Sequence, residues 1–185
     1  MTRRCIARLL MLALTFGSAV DGHASDAAAS SPRLRASDLQ MRLLIDEAIS
    51  KSATVRALVE HLAASDVIVY VACEFDPSVR TAGRLNFMTA AGGVRYVVIR
   101  LKLRRRHAAI AMLAHELQHA AEIAGTPSIV DAESLAREYA RMGYRSYGSH
   151  GFAFDTQAAV DVGRRVADEL MTPDNRASLT SRRDR

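Results

Sequence analysis

The sequence predicts one α+β domain, two helices followed by three strands and then three helices. Three observations carry this. Apolar residues recur at helical spacing over 37–64 and again over 105–171; the stretch between them, 67–103, is rich in β-branched residues; and 185 residues that are 49% hydrophobic and 24% charged suit a single core. Five Tyr, five Phe, no Trp and two Cys speak against a base-stacking nucleic-acid module and against a disulfide scaffold.

The chain opens with Arg3, Arg4 and Arg8 ahead of an apolar run over 9–20, and Gly22-His23-Ala24 places small residues where a signal peptidase reads. Residues 1–24 are therefore expected to be a signal peptide, and the protein to be secreted or periplasmic. The apolar run, about twelve residues, falls short of the roughly 20 that span a bilayer, so no stable membrane insertion is expected after cleavage. Cleavage takes Cys5 with it and leaves Cys73 as a lone, inert strand thiol. It also takes three arginines and one aspartate, shrinking the formal excess from +5 to +3. The remaining arginines are scattered apart from 104–106, which does not make a phosphate track, and no nucleic-acid partner is expected.

Residues 25–36 are small and polar and read as a flexible tether. Ser37 to Gln40 matches a capping box, and Leu39, Leu43, Leu44, Ala48 and Ile49 then follow at helical spacing. Val55, Leu58, Val59 and Leu62 mark a second helix over 53–64. Strands are expected at 67–72, 84–90 and 94–103, the last two joined by Ala91-Gly92-Gly93 as an antiparallel hairpin. The helical period returns at 105–124 with Ile110, Leu113, Leu117 and Ile123 on one side and Gly125 as the stop. A capping box at Ser128 to Asp131 opens a helix to about 141, and Ala158, Val162, Val166 and Leu170 support a last one over 154–171. The domain then covers 37–171, and 172–185 reads as a disordered tail.

The best-patterned helix carries His115-Glu116-Leu117-Gln118-His119. Residues at i and i+4 share a helical face, so the two imidazoles can hold one metal ion, while Glu116 can aim its carboxylate at a water on that ion. Shuffling six His and eight Glu through the chain would produce the pattern in about 1% of cases, so the helical setting matters as much as the five residues.

In this motif, and in element order over roughly 66–141, the chain resembles the zincin metallopeptidases. The resemblance implies a zincin-like domain: two N-terminal helices, a small antiparallel or mixed three-stranded sheet, an active-site helix and two C-terminal helices. It also implies Zn2+ as cofactor, His115 and His119 as metal ligands, Glu116 as general base, and a peptide or protein substrate. The glycine and third histidine of the metzincins are missing after His119, where the chain reads Ala-Ala-Glu-Ile-Ala-Gly-Thr-Pro. The closest likeness is to short gluzincins, which use an acidic third ligand from a following helix. If the chain reverses through 125–128 and a helix climbs back from Ile129, Glu133 comes level with His119. Glu133 is therefore the expected third ligand. The same count leaves Asp131 nearer Ile123 and carries Glu138 past toward His115. Glu122, one turn beyond His119, is the rival on the same helix and is expected either behind the ligands or exposed to solvent, rather than among them. Asp155 is a further candidate, as ligand or as partner to an imidazole N–H.

The function expected is an exported zinc-dependent metallopeptidase, a hydrolase that cuts peptide bonds with a metal-activated water. The alternative is a noncatalytic metal-binding or protein-interaction module on the same scaffold. His150, Tyr144 and Tyr147 lie in an expected loop over 143–151 that could supply an oxyanion donor. By the same resemblance, strand 84–90 would form the cleft edge and align an extended substrate.

Overall fold

The computed structural model describes residues 33–103, 105–148 and 151–172. The expected signal peptide, tether residues 25–32, His150 and tail residues 173–185 lie outside the described residues, as do the side chains of 144–154.

The described chain is α+β, with a four-stranded mixed sheet, five helices and a separate two-stranded hairpin. Strand β1 (Leu34–Ala36) precedes helices α1 (Leu39–Lys51) and α2 (Ala53–Ala63). Asp38 caps α1 by accepting from the Met41 N–H, one residue later than the Ser37 box predicts, and Ser52 caps α2 through Val55 N–H. Strands β2 (Val67–Cys73), β3 (Gly83–Ala91) and β4 (Val94–Leu101) fall where alternation and β-branching place them. Gly92 and Gly93, at φ of 58° and 75°, make the β3–β4 turn that side-chain-bearing residues resist.

The sheet order is β1-β2-β4-β3, with β1 and β4 parallel to β2 and β3 antiparallel to β4. The sheet therefore has four strands rather than three, because Leu34–Ala36, expected to belong to the tether, pairs with Val69–Val71. Leu34 is buried there. Three residues are too few to show an alternation, which is why the polar flank masks this strand.

Val67, Val69 and Val71 of β2 and Val97, Ile99 and Leu101 of β4 face one side, where they meet Leu44 and Ile45 of α1 and Val55 and Leu62 of α2. Helix α3 (Arg106–Ala124) crosses the same face and buries Ile110, Leu113, Leu117 and Ile123. Each such side chain contributes about 1.5–3 kcal/mol by leaving water. Among the described residues no helix is long and apolar enough to cross a membrane.

Arg95 of β4 is buried yet saturated. Its guanidinium pairs with both Asp66 oxygens at 2.7 Å and donates to the carbonyls of Ile123, Ala124, Thr126 and Ile129. Two of those carbonyls end α3 and two lie in the connection after it, so one strand side chain joins Gly125 and Thr126 in satisfying the last acceptors of a helix that has no basic residue in its own last turn.

Helix α4 (Ala132–Met142) begins later than predicted. Asp131 is its N-cap in a reciprocal capping box with Ser134, while Ile129 is buried in the connection before it. After Gly143 the expected loop is a hairpin, β5 (Tyr144–Gly148) with β6 (Gly151–Asp155), in which Tyr144 stands opposite Asp155. Helix α5 (Gln157–Leu170), capped by Thr156, packs against α3 and sends Val166 and Leu170 into the core.

Candidate metal centre

Helix α3 holds the site because its sequence, rich in Ala, Leu and Ile and free of Gly and Pro, suits an unbroken helix between the sheet and α5. His115 and His119 project from it one turn apart, with ring centroids 5.0 Å apart and planes nearly perpendicular. Both are largely shielded, at 15% and 8% side-chain exposure.

Asp155 meets both rings. Its Oδ1 lies 3.3 Å from His115 Nε2 and 3.5 Å from His119 Nε2, and the three ligand atoms all fall within 4.8 Å of one another. Nitrogen and oxygen ligands held about 2.0–2.1 Å from a tetrahedral zinc stand about 3.3–3.4 Å apart, close to the two distances from Asp155 Oδ1. The donor set, two imidazoles and one carboxylate, is one that zinc uses where a fourth position is left for chemistry.

Glu133 is not brought to this cluster. Its side chain is 83% exposed and pairs with Arg137, because α4 starts at Ala132 and Glu133 falls in the outward-facing first turn instead of a full turn up the helix. Asp155 stands where Glu133 was expected. The other rivals are also placed: Asp131 is spent on the α4 cap, and Glu138 pairs with Arg141. The side chains of Tyr144, Tyr147 and His150, the expected sources of an oxyanion donor, lie outside the described residues.

Glu116 is 4% exposed and accepts a hydrogen bond from the Leu85 N–H of β3. Burial pushes its carboxyl up to about 7, against the pull of His119. This is the range in which a carboxylate can both take and return a proton near neutral pH. Strand β3, at the sheet edge, thus runs directly beside the candidate base.

Behind the two imidazoles sits Glu122. Its Oε2 accepts from His119 Nδ1 at 2.9 Å and from the Tyr139 hydroxyl at 2.8 Å, and its Oε1 accepts from Thr156 Oγ1 at 2.7 Å. Burial alone would raise its pKa, but the bonds from His119 and Thr156 outweigh it and hold the carboxylate below its ordinary range. For His119, burial opposes the charged ring, yet Asp155 and Glu122 prevail and push it up to about 9. His115 goes the other way, lowered by burial and by repulsion from His119. Two imidazoles are thus surrounded by the carboxylates of Glu116, Glu122 and Asp155, an electrostatic setting that favours a cation.

Tyr139 and Thr156 were not singled out by the sequence. The signal for Thr156 was present: a hydroxyl residue before the run Gln-Ala-Ala-Val is an N-cap pattern, and reading it would have left Asp155 outside the helix. Searches against protein-family models, curated proteins and solved structures find no match to this chain.

Proposed function

We propose that this chain is an exported zinc-dependent metallopeptidase, with His115, His119 and Asp155 as metal ligands and Glu116 as general base. The observation that carries the reading is Asp155 Oδ1, set 3.3 and 3.5 Å from the two Nε2 atoms of the His-Glu-x-x-His helix. When bound, zinc supplies a Lewis acid that polarises a carbonyl and makes water acidic near neutral pH. Glu116 accepts the proton of the attacking water at its carboxylate and returns it to the leaving nitrogen, a task suited to a group held near pH 7. At 4% exposure, Glu116 is shielded from bulk water that would compete for that proton. An extended peptide is proposed to lie along the edge strand β3, next to Glu116. Export rests on the pattern of Arg3, Arg4, Arg8 and the apolar run behind them.

Zinc analysis and a peptide-library assay of wild type and Glu116→Gln test this reading. One zinc per chain is expected in both, with turnover reduced about 10²–10⁴-fold in the variant, the range for losing a general base. Equal hydrolysis by the two proteins would remove Glu116 from the mechanism. Stoichiometric zinc without turnover by the wild type would leave the noncatalytic metal-binding module as the reading.

A further inference from the structure

We propose that Glu122 is the positioning residue of this centre: it orients His119 toward the metal and ties that ligand to the two elements that deliver the rest of the site. The inference rests on the metal reading above and adds to it a residue that does not itself touch the ion.

The geometry is specific. Nδ1 of His119 is taken by Glu122 Oε2 at 2.9 Å, so the ring presents Nε2 on its other side, 3.5 Å from Asp155 Oδ1. A carboxylate on the far nitrogen of a ligating imidazole fixes its tautomer and rotation and raises its basicity toward the metal. Glu122 is itself fixed. Tyr139 of α4 donates to the same Oε2 at 2.8 Å and lies 3.1 Å from Nδ1 and 3.3 Å from the His119 carbonyl. Thr156 donates to the opposite oxygen while its own Oγ1 accepts the Ala159 N–H that opens α5.

The carboxylate therefore joins α3, α4 and the α5 cap at one point. Thr156 directly follows Asp155, so the residue that orients one ligand also anchors the backbone of another. A carboxylate needed only for helix stability would not have to engage the ligand ring. Glu169 is the useful contrast: it too bridges two helices, accepting from Ser52 and Thr54, but it does so away from the cluster.

Zinc affinity by chelator competition, together with melting of the metal-free protein, would be measured for wild type, Glu122→Gln, Tyr139→Phe, Glu169→Gln and His119→Ala. Glu122→Gln keeps shape and an acceptor but removes the charge, and is expected to weaken zinc about 10–100-fold. Tyr139→Phe, which leaves Glu122 in place but less constrained, is expected to weaken it severalfold and serves if Glu122→Gln does not fold. Glu169→Gln should lower the melting temperature with zinc affinity unchanged. In Co2+-substituted protein, the visible absorption should change in Glu122→Gln and not in Glu169→Gln.

Wild-type zinc affinity in Glu122→Gln, or in Tyr139→Phe if only that variant folds, overturns the positioning role and leaves the ligand set standing. Absence of zinc binding in the wild type, or full affinity in His119→Ala, overturns the metal reading and the positioning role with it.

Discussion

The start of α4 and the approach to α5 look alike in sequence and act differently. Each has a capping side chain, Asp131 or Thr156, and each has a carboxylate within two residues of that cap, Glu133 or Asp155. Glu133 lies inside its helix, exposed and paired with Arg137; Asp155 lies before its cap, at the end of β6, and faces both imidazoles. A carboxylate in the first helical turn is directed by the helix, whereas one just before the cap is directed by whatever the preceding strand rests on. Here that support is the end of α4, because the β5–β6 hairpin returns the chain to the place it left.

Removing each carboxylate in turn should separate the two regions most strongly. Asp155→Ala should weaken zinc binding by more than about 100-fold, beyond the cost of losing an outer partner, while Glu133→Ala should leave it unchanged. Isothermal titration with zinc reads both, and equal effects would show that the two regions do not differ as described.

A smaller effect tests the support. A Cβ on Gly143 would stand 2.6 Å from the Asp155 carbonyl oxygen and 2.9 Å from that of Tyr139, so both backbones must move to admit it. Gly143→Ala is expected to cost about 1–3 kcal/mol of stability, as overpacking does, and to weaken zinc as well. Gly125→Ala, with its nearest contacts at 3.6 and 3.7 Å and a φ of −73°, should change stability by no more than about 0.5 kcal/mol. Equal melting temperatures for the two variants would remove Gly143 as the close support of Asp155.

The smallest expected effect is acid dependence at a junction remote from the ligands. Burial would raise the Glu169 carboxyl, but hydrogen bonds from Ser52 and Thr54 hold it below its ordinary value of 4.5. A lowered folded pKa gives stability that is present above 4.5 and is lost as pH falls through the folded value. Glu169→Gln should therefore be less stable than wild type at pH 7, by about 0.5–1 kcal/mol after allowing for partial exposure, and the two should converge as pH falls below 4.5 and through the lowered folded value. A gap that persists in acid would mean that the bonds do not depend on the ionised carboxylate.

Much of the architecture was legible in the sequence because periodicity is a local signal. Helices α1, α2 and α3 and strands β2 to β4 lie within a residue or two of their expected bounds, and the His115–Glu116–His119 spacing puts three candidate site residues on one helix. What was not legible depended on where connections begin. Ser128 has the composition of a cap, yet Asp131 takes the role, and this three-residue shift alone removes the climb that would have brought Glu133 level with His119. The 143–151 stretch, full of Gly and Ser, hides a hairpin, and with it the return that delivers Asp155. Arg95 gave no local sign at all, since its acceptors lie 28 to 34 residues away on another element.

That arginine has a consequence for how the sheet and the helix find each other. Successive strand residues face opposite sides, so sliding β4 by a single residue would swing Arg95 away from the end of α3, bring Tyr96 or Val94 into its place and take the guanidinium donor from the Ala124 carbonyl. The same slip would put Arg100 or Val98 in the place of Ile99, so the apolar face opposes it as well. The guanidinium adds a polar requirement to that apolar one and works as an alignment key between strand and helix, reaching the Ile123 carbonyl one turn from His119.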